Sequence, residues 1–526
     1  MTHAATTRGR EPAQRPADFA DMFTPKLVTV LREGYTFANF RADAIAGLTV
    51  AIVALPLSMA IAIGSGAKPE HGLIASVVAG FIISALGGSR FQIGGPAGAF
   101  IVLVAAIIAQ HGYQGFLAAT IMGGIIMLAM GYLRLGTYIK YIPNPVTVGF
   151  TAGIGVIIFA GEIKDFFGLR LENEPGALLA KFPALLAAAH TINWQATAVA
   201  LACLAIILGL RRVAPRFPGM LAAVAFGAVV TWAFGLPVET IGSKFGGIPR
   251  SLPVPGLPDI SLSQIVQLIP AAIAIAVLGS IESLLSAVVA DGMTGRRHRS
   301  NCELVAQGWA NIGSALFGGM CATGTIARTA TNVRANAHGP VAGILHAVFL
   351  LAFMFLAVPL AAWIPLASLA AVLAVVAYNM IEKDHFIAIM RTSRGEATVL
   401  LATFLVTIFR DLTEGIAVGV VLGSILFMHR MAQLVEVTTG ESIIDEDRAD
   451  GETSERTAYE PQTGGDLVVY RIAGPFFFGA ASQVSLVLEQ IGAPPKAYVL
   501  DLSSVPLADQ TAAQTILIFA KKARAR

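Results

Sequence analysis

Glu282 is an acidic residue inside an apolar stretch, where a carboxyl group can do chemistry. The 22 residues from Ile269 to Ala290 contain no other charged side chain. A helix of that length measures about 33 Å, close to the thickness of a bilayer's hydrocarbon core. A carboxyl group at that depth is costly unless it is paired, protonated or open to a wet cavity. Glu282 is therefore predicted to line an ion or substrate pathway, and the alternative is an acid bonded to a neighbouring helix.

The residues around Glu282 predict which way it faces. Gly279 stands three residues before it and Ser286 four residues after it, so the three share one helix face. Ser283 is rotated away by about 100° and is expected to contact another helix. A carboxylate on a cavity-facing strip can bind a cation or take up a proton, and can so couple ion movement to substrate movement.

Two glycine-rich stretches resemble each other and interrupt apolar segments. SALGGSRFQIGGPAGAF occupies residues 84–100, and SALFGGMCATGTIARTA occupies residues 314–330. They lie seven apolar segments apart, and this odd number of crossings makes the two copies inverted in the membrane. Interrupted segments at matching places in two halves indicate the central binding site of a transporter. The alternative is chance matching of small residues, which are abundant here.

The chemistry of these two breaks suits an anion. In the first, Gly95 exposes its backbone N–H group and Pro96 is predicted to begin a helix. In the second, Thr325 precedes a helix predicted to begin near Ile326. Two helix N-termini directed at one another form a positive pocket rich in donors. Arg328 adds a full charge with planar geometry suited to oxyanions, although it could instead reach lipid headgroups.

The composition predicts a membrane protein. Hydrophobic residues make up 55% of the chain and charged residues 13%, against about 25% in soluble domains. Mean hydropathy is +0.71. The net charge of +3 gives no indication of nucleic-acid binding. Cys203, Cys302 and Cys321 lack the spacing of a disulfide framework or a zinc site. The sequence contains no HExxH, GxSxG or GxxxxGK[ST] motif, so neither an enzyme nor an ATP-driven pump is predicted.

Hydropathy predicts fourteen membrane-spanning segments. They lie near 44–64, 70–87, 94–110, 115–133, 145–162, 194–211, 219–235, 266–290, 302–319, 325–338, 340–360, 366–380, 395–409 and 412–429. The third begins in glycines and the tenth is too polar to face lipid. With fourteen crossings, basic clusters such as Arg296, Arg297 and Arg299 fall on one side together with both termini, and the positive-inside rule makes that side cytoplasmic.

The chain divides by composition into four parts. Residues 1–42 form a polar cytoplasmic arm, and residues 43–430 form the membrane domain. Residues 431–465 are acidic and polar, as expected of a solvated linker. Residues 466–526 have a soluble α/β pattern, in which the strands LVVYRIAG and AYVLDLSSV are each followed by a helix.

With these features in place, the chain resembles the SulP family of anion transporters, the relatives of sulfate permeases. Four passages carry the resemblance: DAIAGLTVAIVALPLSMA, the GGPAG break, GSIESLLSAVVADG and the ATGTIARTATN break. The end of the chain resembles a STAS domain, with VVYRIAGPFFFGAA at its start and VLDLSSVPLADQTA around its central strand. Together these motifs cover nearly the whole chain beyond the N-terminal arm.

The resemblance implies an α-helical membrane fold of seven-plus-seven inverted repeats with a small cytoplasmic STAS domain. Spans 1–4 and 8–11 would form a moving core, and spans 5–7 and 12–14 a gate. Such proteins usually form homodimers in the cell (inner) membrane, surrounded by lipid. The portion at 466–526 is shorter than the family's domain, which implies a cut or incomplete STAS domain.

The resemblance also assigns residues to roles. The substrate anion would lie at Gly95, Pro96, Ala97, Gly98, Thr325, Ile326 and Arg328. Glu282 occupies the place of an Asp in sodium-coupled bicarbonate relatives, and Ser286 the place of a Thr. Glu282 favours a proton as the coupling ion, while Ser286 leaves a sodium site at Glu282 open. No other cofactor is expected.

Thr511 matches the position where soluble STAS proteins carry a phosphorylated serine. We expect it to cap a helix rather than to take a phosphate.

The function predicted from these features is secondary active transport of bicarbonate, sulfate or a dicarboxylate, coupled to a proton or sodium. An uncoupled anion channel or exchanger on the same scaffold is the first alternative. A nucleobase permease of the related fold is the second, and Arg328 and the STAS domain fit it poorly.

Overall fold

The computed structural model of the chain describes residues 22–139, 142–171, 175, 178–214, 217–249, 251–356, 358–410, 412–437, 467–481, 484 and 496–525. The chain forms two compact units. The first comprises residues 1–389 and 400–417, and the second comprises residues 390–399 and 418–526.

Helices dominate the chain as far as residue 432. They are α1 (Lys26–Arg32), α2 (Phe37–Gly64), α3 (Pro69–Leu86), α4 (Ile101–Tyr132), α5 (Gly136–Ile139), α6 (Asn144–Phe167), α7 (Leu178–Ala187), α8 (Trp194–Val213), α9 (Gly219–Phe234), α10 (Ile241–Phe245), α11 (Leu262–Thr294), α12 (Ser300–Leu316), α13 (Ile326–Arg334), α14 (Val341–Leu356), α15 (Val358–Ala361), α16 (Leu366–Met380), α17 (Lys383–Thr392), α18 (Arg394–Phe409) and α19 (Leu412–Ala432). Apolar stretches form helices here because lipid offers no partner for bare backbone groups.

Each of the fourteen predicted segments falls on one of these helices. Within the described residues, eight helices are long and apolar enough to cross a membrane, and Gly219–Phe234 and Val341–Leu356 are shorter apolar helices. The third and fourth segments form one continuous element, Gly98–Tyr132, which bends at Gly112. Gly112 has a φ of 68°, a backbone angle that residues other than glycine rarely adopt. The chain is a multi-pass membrane protein, while the count of fourteen crossings stays a prediction.

Both predicted breaks are present in the structure. Residues Gly94–Gly95 form a short strand, β1, before a 3₁₀ turn at Gly98–Phe100 that leads into α4. The expectation that Pro96 begins this helix is wrong, since Ala97 caps the turn and the helical backbone starts at Gly98. Thr323–Gly324 form β2, and α13 follows from Ile326 as predicted. With nine residues, α13 is only about 14 Å long and cannot cross a bilayer alone.

The helices of the first unit pack in two groups. In one, α4 packs against α11 and α12, while α14 packs against α2 and α3, and α12 joins the two sets through α3. In the other, α16 packs against α6 and α8, and α8 packs against α9. Helix α2 touches both α9 and α16, so the two groups meet along it.

The second unit contains a three-stranded sheet in the order β3–β4–β5. Its strands are β3 (Glu436–Val437), β4 (Leu467–Ala473) and β5 (Ala497–Ser504), and helix α20 (Gln510–Ala525) follows. The parallel strands β4 and β5 confirm the α/β pattern of the sequence. Strand β3 pairs antiparallel with β4 and lies within the predicted linker, so Glu436 and Val437 belong to the sheet. The rest of the linker, 438–465, lies outside the described residues.

The residue that caps α20 differs from the expected one. Asp509 Oδ1 accepts the backbone N–H of Ala512 at 2.8 Å, and Asp509 Oδ2 accepts the N–H of Phe478 at 2.9 Å. Thr511 is exposed in the first turn of the helix. The capping role expected of Thr511 is therefore wrong, because the carboxylate two residues earlier satisfies the free N–H groups.

These contacts predict that Asp509→Ala destabilises α20 by about 1 kcal/mol, the usual value of a lost N-terminal cap. Hydrogen exchange of α20 amides in the full-length chain should accelerate accordingly. Thr511→Ala is the matched control and should leave the exchange rates nearly unchanged. Faster exchange in the Thr511 variant, with none in the Asp509 variant, would reverse the assignment.

Candidate functional site

The two breaks meet inside the first unit. Strands β1 and β2 pair antiparallel, with Gly94 opposite Gly324 and Gly95 opposite Thr323. Because the strands run in opposite directions, the helices that follow them leave the crossing in opposite directions. The N-termini at Gly98 and Ile326 therefore flank one crossing point, as the sequence predicted for two interrupted segments.

A buried acid on α12 holds the chain that leads to the first break. Glu303 Oε2 accepts the backbone N–H groups of Gly88 at 2.9 Å and Ser89 at 3.1 Å. Its other oxygen accepts from Gln307 at 3.1 Å and from Ser283 at 3.4 Å. The bonds from Gly88 and Ser89 to this fully buried carboxylate stabilise the non-helical backbone before the break, and those from Gln307 and Ser283 fix the carboxylate in place. Ser283 thus makes the interhelical contact expected of it.

Asparagine and threonine side chains hold the second break in the same way. Asn311 donates to Ala322 O and accepts from Ala322 N, both at 2.9 Å. Thr323 donates from Oγ1 to Gly279 O on α11 at 2.9 Å. These bonds replace the helical hydrogen bonds that an interrupted segment lacks.

Ser286 is engaged by the half-helix α13. Its Oγ lies 3.0 Å from Thr329 Oγ1, and Thr329 Oγ1 also accepts the backbone N–H of Ile93 at 3.1 Å. Ser286 is fully buried. Its hydroxyl therefore joins α11 to α13 and to the first break.

Arg328 lies in the first turn of α13 and is only 1% exposed. Its Nη1 donates to Ser76 Oγ at 3.1 Å, and its Nη2 donates to Ser58 Oγ at 3.0 Å. Nη2 also lies 3.5 Å from Pro96 O. Since Ser58 is on α2 and Ser76 on α3, the guanidinium is held between two spans, next to Gly95. Among the described residues no carboxylate pairs with Arg328.

Glu282 lies on α11 as predicted, but its neighbours on the helix face are packed. Gly279 lies against Phe100, whose Cζ would be 3.4 Å from a Cβ at that position. Ser286 is bonded as described above. Glu282 itself is 8% exposed and has no hydrogen-bond or ion-pair partner among the described residues. The carboxylate of the predicted strip is thus left without a partner from the described chain.

The accessible side of the crossing is formed by the two helix starts. Ile326 is 37% exposed and Gly98 is half-buried, whereas Ala97 and Thr325 are buried. A Cβ at Gly98 would lie 3.2 Å from Met380 Sδ on the second group of helices. Gly98 therefore faces the second packing group, and the N–H groups at the two helix starts are of the kind that bind anions.

Sequence reasoning missed several of the polar residues that build this site. Ser58, Ser76 and Glu303 received no role, although each is a polar residue within or beside an apolar segment, and that is the signal that singled out Glu282. The hydrogen-bond partner of each residue depends on how the two breaks cross in the folded chain, which the sequence does not show. The described residues contain no group of three or more His, Cys, Asp and Glu that could hold a metal ion.

Comparison with known proteins agrees with this architecture. The model of the sulfate permease family matches residues 40–403, and the model of the STAS domain matches residues 458–526. YvdB of Bacillus subtilis, named provisionally as a sulfate transporter, is 40% identical over 488 residues, which cover 92% of this chain and 89% of that protein.

Two solved structures are also similar. The transmembrane domain of the cyanobacterial bicarbonate transporter BicA is 30% identical, with a TM-score of 0.67, covering 73% of this chain and 98% of that one. The murine solute carrier 26 family member A9 shares the fold at a TM-score of 0.81 and 17% identity, over 98% and 89% of the two chains. The resemblance seen in the sequence motifs is confirmed: this chain belongs to the sulfate permease family of membrane anion transporters and carries a STAS domain.

Proposed function

We propose that this protein is a secondary active transporter that carries a small anion together with a proton or a sodium ion. Its family makes it an anion transporter, and relatives are named for sulfate and for bicarbonate. Bicarbonate, sulfate or a dicarboxylate is the proposed substrate. We place the protein in the cell membrane as a homodimer with both termini in the cytoplasm, as the family resemblance and the basic connections suggest.

The burial of Arg328 without an acidic partner is the observation that carries the proposal. Within the part of the chain that the structure describes, its guanidinium is bonded to neutral groups alone, namely two hydroxyls and a carbonyl. A buried charge without a counter-charge is costly, so it persists where function needs it. A bound anion at the crossing supplies the negative charge that the described residues lack.

The two helix starts give the anion its hydrogen bonds. The free N–H groups at Gly98 and Ile326 belong to separate chain segments that converge on one space, and helix N-termini favour negative charge. This arrangement does not require a substrate of one shape. It is compatible with bicarbonate, sulfate and carboxylates.

Movement of one packing group against the other would expose this space alternately to the two sides of the membrane. The crossing, Arg328 and Glu282 all belong to the group formed by α2–α4 and α11–α14. The second group, containing α6, α8, α9 and α16, borders the space through residues such as Met380. The grouping supports the core and gate implied by the family resemblance.

The carboxylate of Glu282 is the proposed coupling group. A structural acid is expected to have partners, as Glu303 has, and Glu282 has none among the described residues. This contrast favours coupling over the uncoupled alternative. Ser286 Oγ is already hydrogen-bonded to Thr329, so a sodium ion at Glu282 would have to share that hydroxyl, and this favours a proton.

The first test of the anion site is Arg328→Ala. We expect anion binding to weaken by about 1.5–3 kcal/mol, the scale of a charge-assisted interaction. Binding to the purified protein by titration calorimetry measures the change. Arg334→Ala, an exposed arginine at the other end of α13, is the matched control. Equal affinity in wild type and Arg328→Ala would reject the site.

The test of coupling is Glu282→Gln, which keeps the shape of the side chain and removes its charge. We assume that the packing group of α2–α4 and α11–α14 can move across only when residue 282 is neutralised by its coupling ion. A permanently neutral residue 282 should then abolish accumulation of the anion driven by a proton or sodium gradient, while anion binding is retained. Uptake into proteoliposomes under imposed gradients measures this. Asp291→Asn, near the end of the same helix, is the control. Continued accumulation in the Glu282 variant would place coupling elsewhere.

The STAS domain is expected to leave selectivity unchanged. Deletion of residues 440–526 removes no residue of the site, so the order of preference among sulfate, bicarbonate and dicarboxylates should persist. Expression, dimer stability or transport rate should change instead. A truncated protein with a different order of preference contradicts this expectation, and competition assays in proteoliposomes decide.

A further inference from the structure

We propose that Ser58 and Ser76 are positioning residues that hold the charge of Arg328 behind the crossing, where it attracts the anion through its electric field rather than by contact. The inference rests on the proposed anion site. It adds how the charge acts and which residues place it.

The guanidinium is sealed from the accessible side. Arg328 is 1% exposed, both Nη atoms are bonded inward, and Nε is buried without a partner among the described residues. Ile326, two residues earlier, is 37% exposed, and Gly98 is half-buried. An anion that binds at these helix starts reaches backbone N–H groups while the guanidinium stays behind the packed backbone.

The hydrogen atoms of the two serines have one consistent arrangement. Ser58 Oγ donates to Ala54 O at 2.6 Å, which uses its only hydroxyl hydrogen. The pair of hydroxyls is 2.7 Å apart, so Ser76 is the donor to Ser58 in that bond. Both oxygens then present lone pairs to Arg328, and neither hydroxyl can donate to an anion. Both serine oxygens are therefore arranged to accept hydrogen bonds from a cationic donor such as the guanidinium.

The backbone approaches the guanidinium closely at Gly95, where a larger residue would displace it. A Cβ at Gly95 would collide with Nη1 of Arg328 and lie 3.1 Å from Ser76 Oγ. The charge thus lies against the strand that leads into the first helix start. Because Arg328 is only 1% exposed, its charge is poorly screened by solvent and acts on an anion at either helix start.

A double-mutant cycle tests the positioning role. Ser58→Ala and Ser76→Ala should each weaken binding of a probe anion about three- to tenfold, the usual net value of one intramolecular hydrogen bond. In the Arg328→Ala background, the same changes should alter affinity less than about twofold, because the serines act through the arginine. Ser65→Ala, directly after the end of α2, is the control, since among the described residues its hydroxyl bonds Ile61 O alone and should show no coupling.

The valence of the probe separates field from contact. Coulomb energy is proportional to the charge of the anion. The fold-loss caused by Arg328→Ala for sulfate should therefore be roughly the square of the loss for nitrate, with chloride and succinate as a second pair. Losses that are equal for both valences, or serine effects that persist in the Arg328→Ala background, overturn the proposal.

Failure of this inference differs from failure of the proposed function. If none of the four anions binds the wild-type chain, or Arg328→Ala changes no affinity, the proposed anion site itself fails and the inference with it. If the serine variants do not fold, Gly95→Ala replaces them, because its Cβ displaces the guanidinium. Its loss of affinity should be largely absent in the Arg328→Ala background, and a loss of equal size there counts against the proposal.

Discussion

The structure of the membrane part depends on one constraint, namely that backbone polar groups inside a bilayer must all find partners. Two chain segments stop being helical in mid-core, at β1 and β2, and leave such groups unpaired. The antiparallel pairing of Gly94 with Gly324 satisfies some of them. Glu303 and Asn311 satisfy others through side chains. The remaining N–H groups at the two helix starts are the ones left for a ligand.

This constraint explains why polar residues occur in helices that are otherwise apolar. Their bonds go to the broken segments, or to the arginine that follows the second break. They form separate sets, one linking α2 and α3 to α13 and others linking α11 to α12 and to α13. Such a network fixes the crossing more rigidly than apolar contacts alone, since each member is directional. The N–H groups proposed to bind the anion therefore occupy defined positions within one packing group of helices.

The two charges of the site are kept apart. Arg328 and Glu282 belong to the same packing group but form no ion pair within the described structure. If they were paired, neither would need an outside partner. Because they are separate, the arginine favours an anion and the carboxylate favours a cation or a proton. A protein that binds both kinds of ion in one moving body has the elements of a coupled transporter.

The sequence alone determined the membrane class, the position of the apolar helices, the two breaks and the α/β pattern of the last part, because hydropathy and glycine-rich interruptions are local signals. It also identified Glu282 and Arg328, since a charge in an apolar segment is visible without a structure. Only the tertiary structure decided their surroundings. Ser58, Ser76 and Arg328 are far apart in the chain. The choice of Asp509 over Thr511 as the cap of α20 instead depends on the local backbone geometry. Partners chosen across such separations follow from packing, which periodicity does not encode.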